Sequence, residues 1–138
     1  ARYQGNLSGP LLDRIDLHIE VPAIAPQELT EAPAAEPSAA VRGRVEQARQ
    51  RAIDRQGLPN HALAGALIDR HVALGSAASA LLQKAAARFG WSGRSTHRTL
   101  KVARTIPDMA GSPSVESAHI AEAMQYRPTA SGHGEMRG

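Results

Sequence analysis

No cysteine occurs among the 138 residues, so disulfides and thiolate metal sites are excluded from the outset. Aromatic residues are almost as scarce, at 3% against a hydrophobic content of 42%. Any core must then be assembled from Leu, Ile, Val and Ala, which favours small helix-on-helix packing. No apolar run approaches the roughly 18 residues of a membrane span, and no signal-peptide pattern opens the chain. The expectation is a soluble, cytoplasmic protein without membrane association. Also missing are a G-x-x-x-x-G-K-[ST] loop and an apolar strand ending in paired acidic residues. Without them the chain has neither a phosphate cradle nor Mg²⁺ ligands, and should not hydrolyse ATP by itself.

Charge is not lacking, but it is modest. The formal net charge of +3 permits contact with phosphates without demanding it. The six histidines, His18, His61, His71, His97, His119 and His133, form no i, i+4 pair. No acidic residue accompanies them at a ligand spacing, so no metal site is expected. The serines fall mostly at capping positions and offer no Ser–His–Asp constellation.

What the chain does contain begins with a puzzle. Ile15-Asp-Leu-His-Ile-Glu-Val21 alternates apolar and polar residues like a strand with one buried face. No strand of comparable quality follows, and a lone strand has no ladder to join. Four prolines and three glutamates between residues 22 and 37 then read as a linker.

From Ser38 the rhythm is helical. The first helix is expected to start at a Ser38 cap, turn Val41, Val45, Ala48 and Ala52 inward, and stop at Gly57 and Pro59. Asn60 is the expected cap of a short second helix with Leu67, Ile68 and His71, which Gly65 weakens. Ser76 caps a third that ends at Gly90, and Ser92 caps a fourth carrying Leu100, Ala103, Ile106 and Ala110. Pro107 lies inside that fourth pattern, where a kink or an early end is expected. Val115 and Ile120 look like a hydrophobic staple at the start of a fifth helix ending near Tyr126. Residues 128–138 read as a disordered, Gly-rich tail. The fold class is all-α, a small bundle of four to five short helices over residues 38–127. A largely unstructured segment containing the orphan strand precedes it.

Four stretches give the puzzle an answer. "SGPLLDRIDLHIEVP", "VRGRVEQARQR", "SGRSTHRTLKVARTI" and "HIAEAMQYR" occur in this order. Together they resemble the C-terminal third of the magnesium-chelatase-like ATPases, a branch of the AAA+ superfamily, and in particular its ComM/YifB type. The resemblance implies that residues 1–21 are the end of an α/β ATPase core, with the other strands upstream. Residues 38–127 would then be the helical lid of that ATPase. It further implies ATP and Mg²⁺ as cofactors of the full-length protein, with none bound by the fragment alone. The implied partners are the protein's own N-terminal ATPase core, further copies in a homo-oligomeric ring of hexameric type, and DNA, which ComM-type members remodel.

Two site residues follow from the same resemblance. Arg14, in Leu11-Leu-Asp-Arg14, matches the position of an arginine finger, which offsets charge on a neighbouring subunit's γ-phosphate. The bland alternative is a surface Arg paired with Asp13 or Asp16. Arg94, in Ser92-Gly-Arg94-Ser, matches a sensor-2 arginine. In the first turn of a helix a cation opposes the dipole, so a phosphate partner would rationalise it; otherwise the helix simply tolerates the penalty. Gly93 and Pro107 depart from the family pattern and bear on the lid's shape.

Arg94, Arg98, Lys101 and Arg104 or Thr105 form a basic stripe that could contact a nucleic-acid or phosphate backbone. The alternative is a solvated face, and interleaved aromatics for base stacking are missing. Two rival functions therefore stand beside the lid: a helical DNA-binding module, and a magnesium-chelatase motor subunit acting in tetrapyrrole metal insertion.

Overall fold

The structure, a computed structural model, describes residues 14–23, 25–27 and 35–127. The expectations for residues 1–13 and for the 128–138 tail lie outside that set. Within it the chain forms five α-helices: α1 (Ser38–Gln56), α2 (Ala66–His71), α3 (Ser76–Phe89), α4 (Gly93–Ala110) and α5 (Ser117–Met124). A 3-10 turn over Asn60–Ala62 separates α1 from α2. No strand occurs among the described residues.

Helix α4 is the hub, packing against α1, α5, α2 and the 3-10 turn, while α3 packs against α5. The core joins Leu63, Ile68, Val72, Ala78, Leu82, Leu100, Ala103, Val115, Ile120 and Ala123. All are small or aliphatic, as the shortage of aromatics requires. Trp91 packs against this core and stacks on Phe89, with ring centroids 6.1 Å apart.

Helix α1 is fastened at one end only. It buries Ala48 and Ala52, whereas Val41 and Val45 of its expected apolar face are exposed. In its second turn Val45 borders a pocket that Met109 of α4 also lines. The exposed Glu36–Arg44 ion pair secures the entry to the helix.

Helix starts are where sequence and structure part. The N-caps of α1 and α3 are Pro37 and Gly75, one residue before the expected Ser38 and Ser76, and neither makes a side-chain cap bond. Asn60 enters the 3-10 turn instead, and α2 begins after Gly65, whose φ of 53° suits glycine. Ser92 does cap α4, accepting the Ser95 N–H at 3.0 Å. The staple at α5 is also present, since Val115 and Ile120 are both buried around the Glu116 cap. His119 completes that cap, its Nδ1 accepting the Glu116 N–H at 2.9 Å.

Pro107 neither ends α4 nor stops it early; the helix runs on to Ala110. The ring is buried in the last turn, where its carbonyl accepts the Ser112 N–H at 2.8 Å. With Gly111 at φ 76°, this is a Schellman closure. A proline there forfeits one donor but still supplies the acceptor that ends the helix.

The alternating stretch from Ile15 to Val21 has no ladder. Leu17, Ile19 and Val21 are 46%, 67% and 78% exposed, so the face that a sheet would bury is open. Ile15 to His18 nevertheless touch the bundle at defined points.

A candidate phosphate-binding groove and the segment beside it

Helix α4 begins at Ser92, and Arg94 is its second residue. Here the free backbone N–H groups and the positive end of the dipole converge. Arg94 is exposed and has no hydrogen-bond or ion-pair partner among the described residues. It lines an open groove of about 450 Å³, with Leu63 and Ile68 at the floor and His97, Arg98 and Lys101 along the same wall. Gly65 and Gly93 keep the rim free of side chains.

The groove gathers three of the expected stripe residues. Arg98 pairs with Asp16, and Lys101 donates to the His61 carbonyl at 3.4 Å. Arg104 does not join them. It is 3% exposed and turns to the opposite end of α4, toward Asp108. The stripe is thus interrupted one turn beyond Lys101, because Arg104 lies on the face of α4 that packs inward. Thr105 is exposed, its hydroxyl donating to the Lys101 carbonyl at 2.8 Å.

Around Asp108 the structure builds a second charged cluster that the sequence reading missed. Arg55 reaches the carboxylate with both Nη atoms, at 2.7 and 3.0 Å. Arg104 donates at 3.1 Å and Asn60 at 2.8 Å. Asn60 also donates to Thr105 Oγ1 at 3.1 Å and accepts from Arg55 and Gln56 at 3.2 and 2.8 Å. Burial alone would push the Asp108 carboxyl up. The hydrogen bonds from Arg55 and Asn60, with the charges of Arg104 and Arg55, outweigh it and hold the group below its ordinary value. Burial lowers Arg104 from its ordinary value, and Asp108 offsets part of that. The signal was present: Asp108 is the one acidic residue of α4 and stands four residues after Arg104.

The segment bearing Arg14 is tied to the start of α4. Arg127, buried at 6% exposure, donates to the Ile15 carbonyl and to Ser95 Oγ, each at 3.2 Å. The His18 N–H donates to the Tyr126 carbonyl at 2.7 Å. Arg14 itself is exposed and has no partner among the described residues; Asp16, one of the partners open to it, is engaged by Arg98.

The groove's donors suit a chain of phosphates, since Arg94 and Lys101 present N–H groups beside a helix N-terminus. No carboxylate lines it, so a Mg²⁺ ion would take its ligands from elsewhere. Among the described residues no cluster of His, Asp or Glu is arranged to hold a metal, and no helix is long and apolar enough to cross a membrane.

Comparison with known proteins decides the lineage. Residues 35–127 match the family described as magnesium chelatase, subunit ChlI C-terminal, and residues 1–29 match magnesium chelatase, subunit ChlI. The chain belongs to the magnesium-chelatase family. Among its relatives are the competence protein ComM of Haemophilus influenzae, 41% identical over 91% of this chain, and YifB of Escherichia coli, 39% identical over the same share. A Mycobacterium tuberculosis protein, Rv2897c, is 37% identical over 93% of the chain. The chain spans about a quarter of the length of these relatives, 25–26%. The two family matches divide where the Pro-rich stretch lies, which separates the Arg14 segment from the helices of this magnesium-chelatase chain.

Proposed function

We propose that the chain is the C-terminal lid module, with an attached finger segment, of a ring-forming AAA+ ATPase of the ComM/YifB type. In this reading Arg94 acts as the sensor-2 residue, meeting the phosphates of a nucleotide held by the ATPase core. Arg14 reaches the γ-phosphate of a neighbouring subunit, where it offsets charge developing during transfer. The cytoplasmic parent protein binds ATP with Mg²⁺ and couples hydrolysis to DNA remodelling. The module alone is inactive. One observation carries the reading: an unpartnered arginine at the positive end of a helix, in an open groove whose other polar side chains are His97, Arg98 and Lys101. A stable helix gains nothing from that arrangement without an anion.

In a full-length protein carrying this chain, Arg94→Ala should lower ATP turnover by about ten- to a hundredfold, the range of one lost charge-assisted contact to the transition state. Arg14→Ala should lower it at least as far, and the helical signal by circular dichroism should be unchanged in both. Unaltered turnover in both variants would sink the assignment. Similarity to proteins named ComM and YifB supports the ComM/YifB type, and the preference for DNA remodelling over tetrapyrrole metal insertion is our inference from that type. An autonomous DNA-binding module would instead show steeply salt-dependent affinity for duplex DNA, lost with Arg98 and Lys101 replaced. The break in the stripe at Arg104 speaks against that alternative.

A further inference from the structure

A single buried guanidinium joins the two segments to which catalytic arginines are assigned above. Arg127 lies 112 residues from Ile15 in sequence. One of its Nη atoms donates to the carbonyl next to Arg14, and the other donates to the hydroxyl next to Arg94. Ser95 is itself 4% exposed and belongs to the first turn of α4. A planar fork with two divergent donors suits two fixed acceptors; a lysine has one nitrogen for both.

Two further contacts reinforce the tie without passing through Arg127. Arg98 of α4 pairs with Asp16, and the Tyr126 carbonyl, one residue before Arg127, accepts the His18 N–H at 2.7 Å. Three of the four acceptors, the Ile15 and Tyr126 carbonyls and the buried Ser95 hydroxyl, are backbone or buried side-chain groups, while the half-exposed Asp16 carboxylate adds a surface contact.

We propose that Arg127 is a positioning residue that locks the Arg14 segment to the start of α4, so that the two segments move as one unit. The consequence rests on the lid reading above. A phosphate engaged by Arg94 in one site then sets where Arg14 stands in the neighbouring one, and Arg127 carries the displacement between them.

The test has two readouts. In the 138-residue chain, amide hydrogen exchange at His18 should quicken about tenfold in Arg127→Lys, with Leu100 and Ala103 of the core unchanged. Should Arg127→Lys loosen the core amides as well, Ser95→Ala decides. It removes the acceptor on α4, leaves Arg127 in place, and should quicken His18 in the same sense. His18 exchange unchanged in the deciding variant overturns the proposal.

In the full-length protein Arg127→Lys should lower kcat for ATP with KM unaltered, as a misplaced finger would, whereas Arg94→Ala should lower kcat and raise KM as well. Lysine conserves charge and much of the volume, so a residue that merely fills space would be rescued by it. Faster His18 exchange with unchanged turnover would uphold the tie but overturn the catalytic assignment of Arg14. Lower turnover with His18 exchange unchanged would overturn the tie itself.

Discussion

The two ends of helix α4 use the same residue type for opposite ends. Near its start, Arg94 faces open water with no partner among the described residues, and Arg98 and Lys101 are half-buried with single contacts. Near its finish, Arg104 is sealed with Asp108, Arg55 and Asn60, every carboxylate oxygen engaged. The difference is burial. A charge removed from water must have its partners supplied by the fold, whereas an exposed one keeps its capacity for a partner from outside. One end of the helix is therefore structural and the other is available.

Breaking the sealed end should have the largest effect. Asp108→Asn leaves Arg104 and Arg55 without their counter-charge, and should cost about 3–5 kcal/mol of unfolding free energy, read as a lowered denaturant midpoint, as for other buried pairs that lose one partner. Arg94→Ala should leave that midpoint unchanged or slightly raised, since it relieves an opposed dipole. If the two variants proved equally destabilising, the contrast between the ends would be false.

Acid should expose the same contrast by titration. The Asp108 carboxyl is held below its ordinary value of 3.8. Its contribution to stability is therefore complete above that value and is lost as pH falls through the lowered, folded one. Unfolding followed by circular dichroism should show a loss of stability below about pH 4 that is smaller in Asp108→Asn, which among the described residues keeps only the lowered carboxyl of Glu36. An identical acid limb in both proteins would break the argument.

The smallest effect belongs to the open end. Ser92→Ala removes the bond to the Ser95 N–H and should cost about 1 kcal/mol. The same change frees one more donor beside Arg94, so the affinity for inorganic triphosphate, measured by calorimetry, should stay within a few-fold of the parent's. Loss of triphosphate binding on this change would assign the anion contact to Ser92 and not to Arg94.

Much of the bundle was legible because apolar spacing alone places Leu100, Ala103, Val115, Ile120 and Ala123 inward. Glycine stops were equally plain, since Gly57 and Gly90 take left-handed backbone that other residues avoid. The N-caps at Ser38 and Ser76 were displaced by one residue for a physical reason. Cap-type residues mark the vicinity of a start, but the preceding loop decides which residue is the last extended one. Pro37, at φ −62° and ψ 144°, already held that place. Neither Arg127 nor Asn60 could be read as a partner, because their contacts span 112 and 48 residues and exist only once the helices dock. Arg94 was legible from its local setting; whether Arg98, Lys101 and Arg104 shared its face depended on how α4 is rotated against the core.

Helix α4 carries its ionic groups in the wrong order for its own axis: cations at the front, a carboxylate at the back, where the last carbonyls already concentrate negative charge. Arg51, reaching from α1 to the Asp108 carbonyl at 2.5 Å, relieves part of that crowding. A synthetic peptide of these 18 residues would have neither Arg51 nor Arg55, is little longer than the about 12–15 residues below which helicity in water is marginal, and carries its charges against the dipole. The central rod of the bundle is thus not autonomous; it owes its shape to the very elements it organises.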